Sequence, residues 1–431
     1  MPQRSTSRRA ARLACALAVV GLAACGGDGG GDGGEASARQ ASAASTPTTD
    51  GSSPESTELT EGTEPSSEAT APSDGGESGD EGAGPDDEAW PSPDWTTVSP
   101  EEAGLDGAAL DAMAAAAEAG GSECLVVTKD GALVGEWYWN GFEPRTEREV
   151  FSVTKSITST LVGIAQDRGL LDIDDQASDY IEAWRGTPSE DVTIRNLVSN
   201  DSGRFQDFES DYIRMATQEQ DKTAFSIGLS QQHERGTMWV YNNAAIQTLD
   251  EVLEVATGMP TGDFAEDALF EPLGMGTTMN RDASGNTLTF MGAQASCRDL
   301  ARFGLLFLRG GVWDGEQIVS PQWVEEATSP SQRLNDGYGF LWWLNRTATS
   351  DVATGGAAGT DEDGAEGAEG TYAAIGLFNQ LVGVYPDADV VATRLGADKG
   401  PGGAGFGLGE LSAGVAQATG GEQAAVGDTV G

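Results

Sequence analysis

The sequence has a single histidine, His233, among its 431 residues. A zinc-protease motif built on two histidines therefore cannot occur, and a histidine-rich metal site is disfavoured. A Ser-His-Asp triad could use only His233, but this residue lies in a polar stretch, residues 231–236, that has the composition of a loop. If the chain is a serine hydrolase, lysine or tyrosine is the better candidate for the base. We expect no metal and no other cofactor.

Positive charge is scarce as well. The chain has 24 Lys and Arg residues against 69 Asp and Glu, which gives a formal net charge of −45. This acidity argues against binding to nucleic acid and against adsorption to anionic membrane surfaces. The lysines are Lys129, Lys155, Lys222 and Lys399, so arginine carries most of the positive charge. Lysine differs from arginine in a way that matters for catalysis, because a buried lysine can lose its proton.

Cysteine is also rare, and two of the four cysteines lie in the first 25 residues. Several arginines there precede an apolar run from Leu13 to Ala24, which is the layout of an export signal. The run ends in Leu22-Ala23-Ala24-Cys25, a sequence that resembles a bacterial lipoprotein cleavage site. We therefore expect an extracytoplasmic protein, anchored to the cell membrane through a lipidated Cys25 at its mature N-terminus. The alternative is an ordinary secretory signal with an incidental cysteine, and the export route, general secretory or twin-arginine, stays open.

The two other cysteines are Cys124 and Cys297. Because they would be the only thiols left outside the cytoplasm, a disulfide between them is the favoured interpretation. Two buried free cysteines are the alternative.

Composition divides the rest of the chain into three parts. Residues 26–94 consist mainly of Gly, Ser, Thr, Pro, Glu and Asp. They cannot bury enough apolar surface to offset the entropy lost on folding, so we interpret them as a disordered acidic linker. Residues 95–411 have the composition of a globular domain. Residues 412–431 are predicted to form a loose C-terminal tail.

Strand and helix patterns within residues 95–411 indicate the fold class. Residues 125–139 have the pattern of a β-hairpin with Asp130-Gly131 at its turn. Residues 372–376 and 381–395, near the other end of the domain, also have strand character, and the patterns between are mainly helical. We therefore predict an α+β fold: an antiparallel β-sheet whose edges come from both ends of the domain, flanked by helices, with a helical subdomain.

Ser152 and Lys155 stand three residues apart at the start of a predicted helix, whose apolar residues 157, 161 and 164 share one face. Residues three apart lie on the same side of a helix, so the Lys155 amine can reach the Ser152 hydroxyl. Unpaired N–H groups and the helix dipole favour negative charge at that end. Acyl transfer by serine needs such a base and such donors for the oxyanion. Chance spacing is the alternative, because a serine three residues before a lysine is a weak pattern by itself.

Further motifs accompany this pair. Tyr241-Asn242-Asn243 fits a Tyr-x-Asn motif, and residues 192–197, 297–304 and 338–343 have their own recognisable patterns. Together and in this order, these features resemble the serine β-lactamase family on its class C side. That side includes D,D-carboxypeptidases, β-lactamase-like esterases and 6-aminohexanoate-dimer hydrolases. The resemblance covers roughly residues 95–411 and implies the β-lactamase/transpeptidase-like fold.

One motif departs from the β-lactamase pattern. β-Lactamases carry Lys-Thr-Gly on a strand at the site, and its cation helps to hold the substrate carboxylate. The matching strand here is Ala374-Ile375-Gly376-Leu377. Gly376 still permits close backbone approach, so the resemblance implies that the Leu377 N–H forms an oxyanion hole with that of Ser152. The missing cation brings the pattern closer to the esterase and 6-aminohexanoate-dimer hydrolase branch.

The resemblance also implies roles for individual side chains. Ser152 would attack the carbonyl. Lys155, kept partly neutral by burial, and Tyr241, with its pKa lowered by nearby cations, would share proton transfer. Asn243 would orient Lys155 or the substrate amide, and Tyr212 would contact the substrate.

Two classes of function remain. The first is a serine hydrolase that cleaves an ester or amide bond, in a small molecule or a peptide-like substrate, through a Ser152 acyl-enzyme. A β-lactamase or D,D-carboxypeptidase that acts on β-lactams or peptidoglycan is a variant of this hypothesis. The second is a catalytically idle envelope protein of the same fold that binds peptidoglycan or peptide fragments. The presence of all the motif residues together favours the first, and we interpret Trp342 and Trp343 as packing residues.

Overall fold

The computed structural model describes residues 90–91, 94–344, 370–397 and 405–420. The predicted signal segment 1–25, with Cys25, and nearly all of the predicted linker lie outside the described residues. The linker boundary at residue 94 is placed too late, because Trp90 packs edge-on against Trp313 with ring centroids 5.5 Å apart. The chain therefore contributes to the folded domain before residue 95.

The strands are β1 Ser122–Lys129, β2 Ala132–Tyr138, β3 Arg148–Glu149, β4 Thr278–Met279, β5 Ala293–Ala295, β6 Val312–Trp313, β7 Glu316–Gln317, β8 Trp343–Leu344, β9 Tyr372–Gly376, β10 Gln380–Tyr385 and β11 Val390–Gly396. The α-helices are α1 Gly107–Ala119, α2 Val153–Asp167, α3 Ile194–Val198, α4 Lys222–Gly228, α5 Asn243–Gln247, α6 Leu249–Thr257, α7 Thr261–Ala265, α8 Glu271–Leu273, α9 Cys297–Leu308, α10 Pro321–Ala327 and α11 Leu408–Ala418. Short 3₁₀ helices span Ala177–Asp179, Glu182–Trp184 and Pro386–Ala388, and π-helices span Glu209–Gln218 and Glu266–Phe270.

Within the described residues the main sheet has six strands in the order β2-β1-β11-β10-β9-β8, and all neighbouring pairs are antiparallel. The N-terminal hairpin lies beside the C-terminal strand β11, so both ends of the domain supply one sheet. Asp130 and Gly131 turn the hairpin with φ of 51° and 78°, the left-handed conformation that suits a two-residue hairpin turn. The predicted α+β class with an antiparallel sheet is confirmed.

Helices cover both faces of this sheet. Successive residues of β1 point to opposite faces: Leu125 and Val127 pack in a cluster with α1 and α11, whereas Val126 packs in a cluster with α2 and α9. The burial of both faces explains why the centre of β1 is continuously apolar. The helix α2, which begins just after Ser152, therefore lies in the interior between the sheet and the helical region.

A disulfide joins Cys124 and Cys297, whose Cα atoms are 6.4 Å apart. Cys124 lies in β1 and Cys297 begins α9, so the bond ties the sheet to the helix on its inner face. The Thr393 hydroxyl of β11 donates to the Cys297 carbonyl at 3.0 Å and strengthens the same junction. This is the pairing that the sequence favours over two free thiols.

The predicted loose tail at residues 412–431 is wrong in its first part. Helix α11 crosses the predicted boundary, and its buried residues include Leu411, Val415 and Ala418, which pack against α1 and the outer face of the sheet. These residues have the i, i+4, i+7 spacing of a helix face. The abundance of glycine and alanine around them hid that spacing in the sequence.

The helical region, residues 153–273, carries most of the remaining core. A short sheet in the order β3-β5-β4 lies beside it and brings residues 290–295 next to the chain that precedes Ser152. Among the described residues, no helix has both the length and the apolar character needed to cross a membrane.

Candidate active site

A sharp turn places Ser152 at the head of α2. Phe151 has a φ of +48°, a conformation that is rare for an aromatic residue and costs about 1–3 kcal/mol. The turn is held on one side by the Val150 N–H, which donates to the Ala293 carbonyl at 2.9 Å. On the other side, the Phe151 ring packs edge-on against Phe378 at 5.4 Å. Ser152 is thereby fixed as the residue that caps α2.

Lys155 lies one helical turn away, and its amine contacts the serine as the spacing predicts. Its Nζ donates to Ser152 Oγ at 2.8 Å and to the Phe290 carbonyl at 2.7 Å. The side chain is 1% exposed, and burial lowers the Lys155 pKa to about 7, against the opposing charge of Asp211. A substantial fraction of Lys155 is therefore neutral near pH 7 and able to take the serine proton.

Tyr241 completes the contacts around the serine. Its ring lies 4.8 Å from Lys155 Nζ, the amine that donates to Ser152 Oγ. The expectation that cations lower the Tyr241 pKa is wrong, because burial raises the pKa instead. Tyr241 thus stays protonated near neutral pH and can donate a hydrogen bond or a proton, which leaves Lys155 as the better candidate for the base.

Asp211 is a functional candidate that sequence reasoning missed. This buried carboxylate accepts bonds from Asn243 Nδ2 at 2.9 Å and from the Ala244 N–H at 2.8 Å. Burial raises the Asp211 pKa to about 6, and the positive charge of Lys155 opposes that rise. Asn243 therefore faces Asp211, whereas the hydrogen bonds of the Lys155 amine go to Ser152 and Phe290. The role predicted for Asn243, orientation of Lys155 or of the substrate amide, stays a prediction, and its described side-chain hydrogen bond goes to Asp211.

Gly376 brings the end of β9 against the turn at Ser152. A Cβ at this position would lie 2.2 Å from the Val150 carbonyl, so only glycine allows the strand to come so close. Among the described residues, neither the Ser152 N–H nor the Leu377 N–H donates a hydrogen bond to the protein. Two unpaired amides beside the serine hydroxyl are what an oxyanion hole requires.

Arg394 supports the turn that follows Leu377. Its Nη1 donates to the carbonyls of Phe378 at 2.6 Å and Asn379 at 2.8 Å, and its Nε donates to Ser122 at 2.8 Å. Burial lowers the Arg394 pKa to about 10, and nearby Arg148 adds to that effect. These contacts direct the guanidinium toward protein carbonyls, so it does not replace the missing lysine of the third motif.

Comparison with known proteins places this arrangement in a family. The sequence model of the β-lactamase family matches residues 104–416. The chain belongs to the β-lactamase family. It is 24% identical over 262 residues to the 6-aminohexanoate-dimer hydrolase of Paenarthrobacter ureafaciens, and the match covers 54% of this chain and 66% of that relative. The chain thus spans slightly less than two thirds of that relative's length.

Solved structures of the family share the fold. A hydrolase with promiscuous acyltransferase activity superposes with a TM-score of 0.56 at 16% identity, over 74% of this chain and 99% of that chain. A penicillin-binding protein homologue from Caulobacter crescentus gives a TM-score of 0.54 at 14% identity, over 67% and 91% of the two chains. These likenesses confirm the predicted β-lactamase/transpeptidase-like fold.

Aromatic side chains form one wall of the site in this β-lactamase-family domain. Trp343 stacks on Tyr241, with ring centroids 5.8 Å apart, and Tyr338 packs edge-on against Trp343 at 4.9 Å. Trp342 is fully buried against Phe303, so its interpretation as a packing residue agrees with its position. Trp343 is only half-buried, so it supports Tyr241 and also borders the site.

Tyr212 and His233 occupy different surroundings. Tyr212 follows Asp211 in the π-helix, so it lies next to the carboxylate that accepts a hydrogen bond from Asn243. His233 lies in the predicted loop, where its carbonyl accepts a hydrogen bond from the Gln231 side chain at 2.8 Å.

Among the described residues, no group of three or more His, Cys, Asp or Glu side chains could hold a metal ion.

Proposed function

We propose that the chain is a serine hydrolase that cleaves an ester or amide bond through an acyl-enzyme on Ser152. The observation that carries the proposal is the 2.8 Å hydrogen bond between Ser152 Oγ and the buried amine of Lys155. Lys155 accepts the hydroxyl proton as Oγ bonds to the substrate carbonyl carbon. The N–H groups of Ser152 and Leu377 stabilise the oxyanion.

Collapse of this intermediate breaks the bond to the alcohol or amine, which leaves with a proton delivered from Lys155 through the Tyr241 hydroxyl. Water then attacks the acyl-enzyme and gives its proton to the same pair of residues, which releases the carboxylic acid and restores Ser152. These steps use the side chains of Ser152, Lys155 and Tyr241, the two backbone N–H groups and one water molecule.

The proposed substrates carry no carboxylate at the β9 edge. Ala374, which matches the lysine of the third motif, is buried and carries no charge. The Arg394 guanidinium donates its hydrogen bonds to the carbonyls of Phe378 and Asn379. The similarity to a 6-aminohexanoate-dimer hydrolase supports an ester or amide rather than a β-lactam. Neutral esters and linear amides therefore fit the site better than β-lactams or D-Ala peptides.

Neutral short-chain esters are expected to be hydrolysed faster than nitrocefin. A charge-assisted hydrogen bond to a carboxylate is worth about 1.5–3 kcal/mol, so its loss lowers kcat/KM for nitrocefin roughly 10- to 100-fold. The measurement compares kcat/KM for p-nitrophenyl butyrate and nitrocefin on one preparation, together with labelling by a fluorophosphonate probe. Nitrocefin turnover ten times faster than that of the ester would contradict the assigned substrate class. Absence of both labelling and turnover would favour an idle binding protein.

We also propose that the hydrolase is anchored outside the cytoplasm through a lipid on Cys25. The proposal rests on the export-signal layout and the Leu22-Ala23-Ala24-Cys25 sequence. Mass spectrometry of the N-terminal peptide from membranes is expected to find a diacylglyceryl-modified Cys25. Cleavage at another position, or an unmodified cysteine, would refute it.

A further inference from the structure

Exposed apolar side chains are unevenly distributed over the domain. Among the described residues, five large apolar side chains are between 39% and 51% exposed: Leu170, Phe208, Met238, Val255 and Leu377. Phe208 and Leu377 belong to the segments that carry Tyr212 and the oxyanion N–H, whereas Leu170 and Val255 lie at the ends of helices in the helical region. Exposed apolar groups beside a catalytic residue mark a binding surface more often than scattered ones do.

The first side of this surface is the Phe208–Tyr212 pair. The two rings stack with centroids 5.4 Å apart and an angle of 23° between their planes. The π-helix that begins beside Phe208 is fixed to the start of α5 by the two hydrogen bonds that Asp211 accepts. Since α5 begins two residues after Tyr241, the stacked pair is held beside the catalytic tyrosine and yet leaves the Phe208 ring open to solvent.

The second side is Leu377. Its backbone is fixed by the contact of Gly376 with the Val150 carbonyl and by Phe378 against Phe151. Its N–H is a proposed oxyanion donor, so its exposed side chain lies within one residue of the place where the acyl carbonyl would bind. An acyl chain that extends from that carbonyl therefore leaves the serine next to the Leu377 side chain.

Charge sets the class of the group that could bind there. The chain has a formal net charge of −45, and the buried carboxylate of Asp211 directly precedes Tyr212 in the π-helix. An anionic substituent would be repelled by this field, whereas an uncharged aliphatic or aryl chain gains from leaving water.

We propose that Phe208, Tyr212 and Leu377 form an acyl-binding shelf, so that the substrates are uncharged esters or amides of medium-length aliphatic or aryl carboxylic acids. The proposal rests on the function proposed for Ser152 and names the acyl group that this site prefers. The shelf would combine side chains from two segments that are far apart in the sequence, the start of the π-helix and the turn between β9 and β10.

Chain-length preference tests the shelf. Wild-type protein is expected to hydrolyse p-nitrophenyl octanoate with a higher kcat/KM than p-nitrophenyl acetate. Phe208→Ala and Leu377→Ala should each lower the octanoate-to-acetate ratio roughly tenfold, because each removes one apolar contact with the chain. Val255→Ala and Leu170→Ala, which truncate equally exposed apolar side chains elsewhere, should leave the ratio unchanged. An unchanged ratio in both shelf variants would overturn the proposal.

Binding without chemistry separates this inference from the proposed function. Ser152→Ala protein is expected to bind octanamide more tightly than acetamide, as measured by tryptophan fluorescence, and to lose about tenfold in octanamide affinity when Phe208→Ala is added. If octanamide binding depends on Phe208 but wild-type protein neither turns over esters nor reacts with a fluorophosphonate, the shelf stands and the hydrolase proposal fails. If esters are hydrolysed but Phe208→Ala leaves octanamide affinity unchanged, the shelf proposal fails and the hydrolase proposal stands.

Discussion

Replacing Lys155 by alanine is expected to lower kcat/KM for p-nitrophenyl butyrate by about 10³-fold or more, close to the loss in Ser152→Ala. General-base catalysis contributes about 10²–10⁴ in rate, and the Lys155 amine is the group that contacts Ser152 Oγ at 2.8 Å. The raised Tyr241 pKa makes the phenol a poor replacement as a base. His233 lies in a separate loop whose described contacts do not include Ser152.

Lys222 supplies a matched control for this substitution. It is also a buried lysine, and its Nζ donates to the Glu219 carbonyl at 2.7 Å, but it lies on α4 and its described contacts do not include Ser152. Lys222→Ala should keep kcat/KM within a few-fold of wild type. Circular dichroism checks that both variants are folded. If Lys155→Ala then loses no more kcat/KM than Lys222→Ala, Lys155 is not the general base.

The pH profile distinguishes a base from a residue that only positions the serine. Lys155 must be neutral to accept the proton, so kcat/KM should rise with pH through about 7, the value to which burial lowers the Lys155 pKa. The groups that face this amine are Asp211, from the π-helix, and the neutral Tyr241. The Asp211 charge favours protonated Lys155, so Asp211→Asn should move the rising limb to lower pH. If the rising part of the pH profile keeps its midpoint in Asp211→Asn, or shifts to higher pH, the Asp211 charge does not raise the Lys155 pKa. Asp211 would then act only by positioning its neighbours.

The sequence predicts the local parts of this site well and the long-range parts poorly. The contact of Ser152 with Lys155 depends only on helix geometry, so the three-residue spacing is enough to anticipate it. The hairpin and the burial of α2 likewise follow from short patterns. These features depend on residues that are close in sequence.

Asp211 shows why the remainder could not be predicted. Its partner Asn243 lies 32 residues later in the chain, and nothing in its own neighbourhood distinguishes it from other acidic residues of this acidic protein. The Phe290 carbonyl that binds Lys155 is a backbone group, which any residue could supply. The direction in which the Tyr241 pKa shifts is set mainly by burial, which only the packed structure reveals.

Gly376→Ala is the second large effect expected, and it tests the oxyanion hole. The added Cβ would lie 2.2 Å from the Val150 carbonyl oxygen and 3.2 Å from Gln380 Cβ. The first contact is with backbone, so either the end of β9 or the turn before Ser152 must move. Either shift separates the Leu377 N–H from the serine, and loss of one oxyanion donor costs about 10²–10³ in kcat.

Gly228→Ala is the control for this change, because a Cβ at Gly228 meets no atom within 4 Å and its backbone conformation suits alanine. Gly376→Ala should lose at least 10²-fold in kcat for p-nitrophenyl butyrate, whereas Gly228→Ala should match wild type. A thermal melt of each variant separates catalytic loss from unfolding, since a folded but inactive Gly376→Ala is the predicted state. If folded Gly376→Ala keeps kcat within threefold of wild type, the Leu377 N–H does not stabilise the transition state. The oxyanion would then have to be held by Ser152 and a donor other than the β9 edge.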